Sequence, residues 1–179
     1  MSWLLDSNIF IQAANDYYHF GICPGFWDWL LQHTSEVRSV EKVQEEILAK
    51  EDDLATWCKD KLPDGFFITP DEGIYQRLRE ITDYVKALPS PYDLKKKNKF
   101  LSGADTMLLA TAMQTGDVIV THEKDDPRSH NKIYLPQIAN YFHVQHTRLF
   151  DVMHQLDARF IQDNSSFIAA LNENPKASS

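Results

Sequence analysis

Cysteine is scarce: Cys23 and Cys58 are the two in this chain. They stand far apart, form no Cys-x-x-Cys pair and have no second Cys/His cluster beside them, so no zinc site is indicated and both read as reduced, structural thiols. Long apolar runs are missing as well. The opening "MSWLLDSNIF" has no basic region ahead of a hydrophobic stretch and few consecutive apolar residues. That excludes a secretory signal and a membrane span as readings and leaves the cytoplasm as the expected compartment. Positive charge is short too: 18 Lys and Arg against 26 Asp and Glu give a net charge of −8, which argues against a large basic surface for nucleic acid. It does not argue against a nuclease, because acids that bind a metal count toward the total while the metal restores positive charge where it sits.

What is present suits one α/β domain. The 179 residues, 43% of them hydrophobic, suffice for one substantial core and are short for two. A domain over residues 1–161 is expected, followed by a polar, fraying tail over 162–179. Short β runs alternate with helical stretches, and no internal repeat or low-complexity run appears. "SWLL", "EVRSV" and "GFFIT" read as strands. Helices are expected from about Ser7, over "PGFWDWLLQH" with Pro24 near its start, over "VEKVQEEILA" and over "DDLATWCKDKL". Ile74, Leu78, Ile81, Val85 and Leu88 recur at four and three and define a further helix. "PSPYDLKKKNK" then reads as a mobile surface loop. "NKIYLPQIANYFHVQHTRLFDVMHQL" reads as a strand, a short helix, a short strand and a helix.

The informative stretch is "GADTMLLATAMQTGDVIVTHEK", Gly103 to Lys124, an apolar helix and strand with an acid near each end. Asp105 shares a helical face with Leu108, Leu109 and Ala112, so its carboxylate is expected to point inward. A buried acid needs a partner. The strand Asp117 to Thr121 breaks into His122-Glu123, which sets Glu123 where the chain leaves the sheet, and Asp6 follows the first strand in "LLDSN". Ligands of an open parallel sheet bind beyond the carboxyl ends of its strands. Asp6 and Glu123 therefore converge if their strands are neighbours, and Asp105 starts the helix that leads into the second of them. In "VQEEIL", at about 100° per residue, Glu46 flanks the face of Val43 and Ile47 while Glu45 points nearly opposite, so Glu46 is the preferred fourth acid. Crowded carboxylates raise one another's pKa unless cations sit among them, and all-oxygen ligation favours Mg²⁺ or Mn²⁺ over zinc.

Taken singly, each acid has an ordinary explanation. Asp6 would cap the following helix, Ser102-x-x-Asp105 would be a capping box, Glu46 would face solvent and Glu123 would be a loop acid. Lys95, Lys96, Lys97 and Lys99 form either a solvated charge run or a phosphate-contacting flank, and Lys124 and Arg128 flank Glu123 in the same way. Tyr17, Tyr18, Phe20, Phe26, Trp27 and Trp29 belong to the core or stack bases. His122 has no second histidine at ligand spacing.

Jointly the pieces form a pattern. Leu5-Asp6-Ser7-Asn8, the Glu46-Ile47 helix, Ala104-Asp105-x-x-Leu108-Leu109-Ala110-Thr111-Ala112 and Val120-Thr121-x-Glu123 stand in the order found in PIN-domain ribonucleases. Over residues 2–146 the chain resembles the PIN-like, VapC-type toxin branch of toxin–antitoxin systems. It departs from them at Glu123, where most PIN domains carry Asp. The resemblance implies a single PIN-like α/β domain with a mostly parallel sheet of order 3-2-1-4-5 flanked by helices, acting as a metal-dependent endoribonuclease. Mg²⁺ or Mn²⁺ held by Asp6, Asp105 and Glu123, with Glu46 as ligand or water-orienting base, would activate water against an RNA phosphodiester and leave a 5′-phosphate. Asn8 and Thr121, with Ser7 and Thr106, would hold the metal-bound water or the scissile phosphate, and Lys97 and Lys99 would contact the substrate. A protein antitoxin and a homodimer are the partners the family implies. Two further readings stay open: an inactive PIN-like binding module, and a PIN nuclease of RNA processing that is no toxin. A phosphate-signalling receiver would want adjacent acids after the first strand, and an Asp-x-Asp phosphohydrolase would want an acid in place of Asn8.

Overall fold

A computed structural model describes residues 2–124 and 131–160. The expected tail over 162–179, and Arg128, lie outside the described residues. The first apolar run forms β1 (Trp3–Leu5), buried along its whole length. It leads into α1 (Ser7–Gln12), a π turn (Ala13–Tyr17) and α2 (Pro24–Gln32). β2 (Val37–Val40), α3 (Glu41–Leu48), α4 (Asp53–Lys61) and β3 (Phe67–Ile68) follow. Then come α5 (Glu72–Ala87), α6 (Leu94–Ser102), α7 (Ala104–Thr115) and β4 (Val118–Val120). α8 (Leu135–Tyr141), β5 (His146–Thr147) and α9 (Leu149–Gln155) complete the described chain.

Every strand pairing is parallel, and the five-stranded sheet runs β3-β2-β1-β4-β5. This is the 3-2-1-4-5 α/β arrangement that the resemblance implies. Parallel strands are covered on both faces, which is why β1 and β4 read as unbroken apolar runs rather than alternating ones. Trp3, Leu4 and Leu5 lie in register with Val118, Ile119 and Val120. The chain leaves β1 for β2 on one side and later returns to β4 on the other. A crevice therefore opens between β1 and β4, beyond their carboxyl ends.

α7 lies beneath this crevice and packs along α5. Its residues are buried on nearly every side, Leu108 and Leu109 completely, as expected of a helix that is apolar all round. Truncating a leucine so placed costs ~2–5 kcal/mol. The helix stops at Gly116, whose φ of 77° lies in the left-handed region that glycine enters without penalty. Asp117 follows at the amino edge, where it accepts from Ser2, from Arg38 at 3.1 Å and from Thr115 at 2.8 Å. It is a buried acid with its partners supplied.

Three sequence expectations are corrected. The lysine-rich stretch is not a loop: Asp93 caps α6 by accepting the Lys96 N–H at 2.9 Å, and a good cap outweighs the mutual repulsion of exposed lysines. Residues 131–134 form no strand. β4 already has β1 and β5 as neighbours, so this segment runs into α8 instead. Ser102 forms no capping box, because its hydroxyl donates to the Lys99 carbonyl at 3.1 Å and the N-cap position of α7 belongs to Gly103.

Candidate functional site

Asp6 stands directly after β1 and is 3% exposed. It does not cap α1 with its side chain. Its Oδ2 accepts from the Asn8 amide and from the Thr121 hydroxyl at 2.7 Å, its Oδ1 has a long contact of 3.4 Å from the Ser7 hydroxyl, and the backbone N–H groups of Ser7 and Asn8 also favour its charged form. Asn8 also accepts the His122 N–H at 3.1 Å and donates to Thr121 Oγ1 at 3.1 Å, while the same oxygen accepts the Glu123 N–H at 3.0 Å. The Thr121 hydroxyl thus donates once and accepts twice, its full capacity. Together these bonds fasten the exit of β1 to the exit of β4 and fix one rotamer of Asp6. No ion pair neutralises Asp6 among the described residues. Burial, with the charge of Glu123 adding to it against the Thr121 bond, pushes its pKa up to about 6.

Asp105 occupies the first turn of α7, at the mouth of the crevice. Among the described residues no donor reaches its carboxylate. Burial first, then the charges of Asp6 and Glu123, raise its pKa to about 8, with Lys132 pulling the other way. A helix N-terminus favours a carboxylate by only ~0.3–1 kcal/mol, too little to offset burial of this scale. Asp117 and Asp105 flank the same helix, one fully partnered and the other not.

Glu46 reaches from α3 to accept the Ala104 N–H at 3.0 Å, so α7 starts on a carboxylate supplied by another helix. Glu45 is exposed and pairs with Lys42 at 2.5 Å, so the two side chains point apart as the helical angle predicts. Glu123 is engaged at both oxygens: Lys132 pairs with Oε1, and the Leu135 N–H donates to Oε2 at 3.0 Å. A cleft of about 270 Å³ gathers Glu46, Asp105 and Glu123 on its wall with Lys96, Lys99 and Lys132.

Among the described residues no three Asp, Glu, His or Cys side chains already stand close enough to hold a metal ion. The donor chemistry nevertheless fits a hard divalent cation. Among the described residues no donor occupies the Asp105 carboxylate, and the Asp6 Oδ1 has a side-chain contact no shorter than 3.4 Å, whereas Glu123 would have to exchange Lys132 for the ion.

The structure therefore brings Asp6, Glu46, Asp105 and Glu123 to one edge of the sheet, with Asn8 and Thr121 as the supports of Asp6. Lys99 lines the cleft. Lys97 does not: its ammonium donates to the carbonyls of Lys86, at 2.8 Å, and Leu88, at 2.5 Å, at the end of α5, where cations satisfy a helix C-terminus. Thr106 turns away to the Phe100 carbonyl at 2.8 Å. Phe26, Trp27 and Trp29 are core, whereas Tyr17 is 58% exposed beside His122. His122 pairs with Gln12 at 2.6 Å, and burial lowers its pKa. Sequence reasoning missed Lys132, which stands in the segment read as a strand. It named Lys96 within the charge run but singled out Lys97 and Lys99 as substrate contacts, whereas Lys96, at i, i+3 from Lys99 on the helix, is the one that lines the cleft with it.

A parallel α/β sheet of order 3-2-1-4-5 with a cleft of under-neutralised acids at its carboxyl edge defines the class to which this protein belongs. Its family is DUF4411, a domain of unknown function whose model matches residues 3–160. No curated protein and no solved structure matches the chain.

Proposed function

We propose that the protein is a Mg²⁺- or Mn²⁺-dependent endoribonuclease, and that it serves as the toxin of a toxin–antitoxin pair. The observation that carries the enzymatic part is the pair Asp6 and Asp105. Both lie at the crevice beyond β1 and β4, their pKa values stand at about 6 and about 8, and no cationic side chain pairs with either among the described residues. Acids left in that condition mark a place where positive charge is missing. When bound, the cation would supply Lewis acidity and an activated water. Asp6 and Asp105 would hold it, with Asn8 and Thr121 keeping Asp6 in its rotamer. Glu46, on the same wall, would orient the attacking water or take its proton. Lys96 and Lys99 would face the RNA backbone. The toxin role rests on the sequence resemblance, and it requires an antitoxin encoded beside this gene. A PIN nuclease of RNA processing would use the same site.

One observation favours a second reading, that of an inactive binding module: Glu123 is already neutralised by Lys132 and the Leu135 N–H. Partner-free protein incubated with single-stranded RNA separates the two. Cleavage that requires Mg²⁺ or Mn²⁺ and is lost in Asp105→Asn is the expected result. Cleavage that survives a chelator, or that Asp105→Asn leaves undiminished, would sink the nuclease mechanism, and RNA binding without any cleavage would favour the module.

A further inference from the structure

Lys132 is half-exposed, with its side chain 43% accessible, while Glu123, its partner, is 16% accessible. The two members of this ion pair are not equally fixed. The second oxygen of Glu123 is tied to the backbone at Leu135, and its own N–H is tied to Thr121. Lys132 has a flexible four-carbon stem carrying a compact charge, which rests 4.8 Å above the ring of Tyr134 and lines the same cleft as Asp105. Its charge already pulls down the pKa of Asp105. Within the cleft, then, the movable member is the cation.

We propose that Lys132 is an RNA-phosphate contact parked on Glu123, released when a divalent cation takes that carboxylate, so that cation and RNA bind cooperatively. The inference rests on the nuclease reading and adds to it a substrate contact and an order of events. An ammonium and a divalent ion repel each other across one carboxylate, and the ion carries twice the charge. The displaced ammonium swings on its stem and remains in the cleft, where a phosphodiester oxygen supplies the negative charge it has lost. Coupling of this kind is reciprocal: RNA strengthens cation binding by the factor by which the cation strengthens RNA binding.

The test measures Mn²⁺ binding from the resonance of the free ion, and RNA binding from the anisotropy of a labelled single-stranded RNA whose integrity is checked on a gel. Lys132→Met without RNA should bind Mn²⁺ roughly fivefold more tightly than the parent, the scale of a half-exposed ion pair. The gain in RNA affinity that Mn²⁺ brings to the parent should largely vanish in this variant, and Lys132→Arg should keep part of it. Equal Mn²⁺ affinity and an equal Mn²⁺-dependent gain in parent and Lys132→Met would overturn the inference while leaving the nuclease reading intact. Absence of saturable Mn²⁺ binding in both would overturn the two together.

Discussion

Replacing Asp105 by Asn should make the protein more stable while removing its response to divalent metal. The carboxyl of Asp105 ionises at about 8 in the folded chain against its ordinary value of 3.8. A raised pKa means that the fold holds a proton the unfolded chain has already released. Stability from this group is full below its unfolded pKa and is lost as pH rises toward the folded value. At 1.36 kcal/mol per pH unit the loss at neutral pH is on the order of 4 kcal/mol. Asn has the shape of the protonated acid and nothing to lose. Asp105→Asn should therefore melt on the order of 10 °C above the parent in chelator at about pH 7, since each kcal/mol moves a chain of this size by ~2–4 °C. The two should converge near pH 4, and Asp6, with its pKa of about 6, leaves both a smaller decline over the lower part of the range. Excess Mn²⁺ should raise the parent's melting temperature at neutral pH through preferential binding to the folded state and leave the variant where it was. Circular-dichroism melts across this range, in chelator and in Mn²⁺, read all of it. Parallel decline of parent and variant between about pH 5 and about pH 8 in chelator would refute the electrostatic argument, and a Mn²⁺ shift retained by the variant would place the cation elsewhere.

Glu123→Asp should weaken Mn²⁺ binding or cleavage although it restores the residue more usual in PIN domains, because the shorter carboxylate falls short of the cation and gives up the Leu135 N–H that positions it. Glu123→Gln keeps the reach and loses the charge, and should weaken them too; titrations equal to the parent in both variants would make Glu123 an ordinary loop acid. Lys97→Met should cost ~0.5–1.5 kcal/mol in urea denaturation through the lost bonds to the end of α5 and leave RNA affinity unchanged, whereas Lys99→Met should lower RNA affinity and leave stability unchanged. The reverse pattern would return Lys97 to the RNA side.

The central strands and the acids were legible because they are written in local signals: Val118-Ile119-Val120 reads as a buried strand, and the choice of Glu46 over Glu45 follows from the angular pitch of a helix. The order of the strands came with the resemblance, since no local signal sets Val118-Ile119-Val120 beside Leu4. What was hidden depends on contacts between segments distant in sequence. The lysine stretch reads as a loop by composition, and its helix follows from Asp93 at one end and the carbonyls of α5 that receive Lys97. The Glu46 bond to Ala104 spans 58 residues, and no spacing rule announces it. Lys132 was overlooked because its role comes from the fold bringing residue 132 back against residue 123, in a segment whose own pattern, Ile133 and Tyr134 before Leu135, suggests a strand.

Glu46 has one more effect on what this cleft accepts. The first turn of a helix is a ready seat for anions, since its amides point outward and its dipole is positive there. In α7 the Ala104 amide is taken by a carboxylate of the protein itself, and Asp105 stands next to it. A free phosphate arriving at this spot meets two carboxylates, and the leading amide of the helix is already spent. One helix cap thus turns a seat that usually favours anions into one that repels them unless positive charge is brought to it.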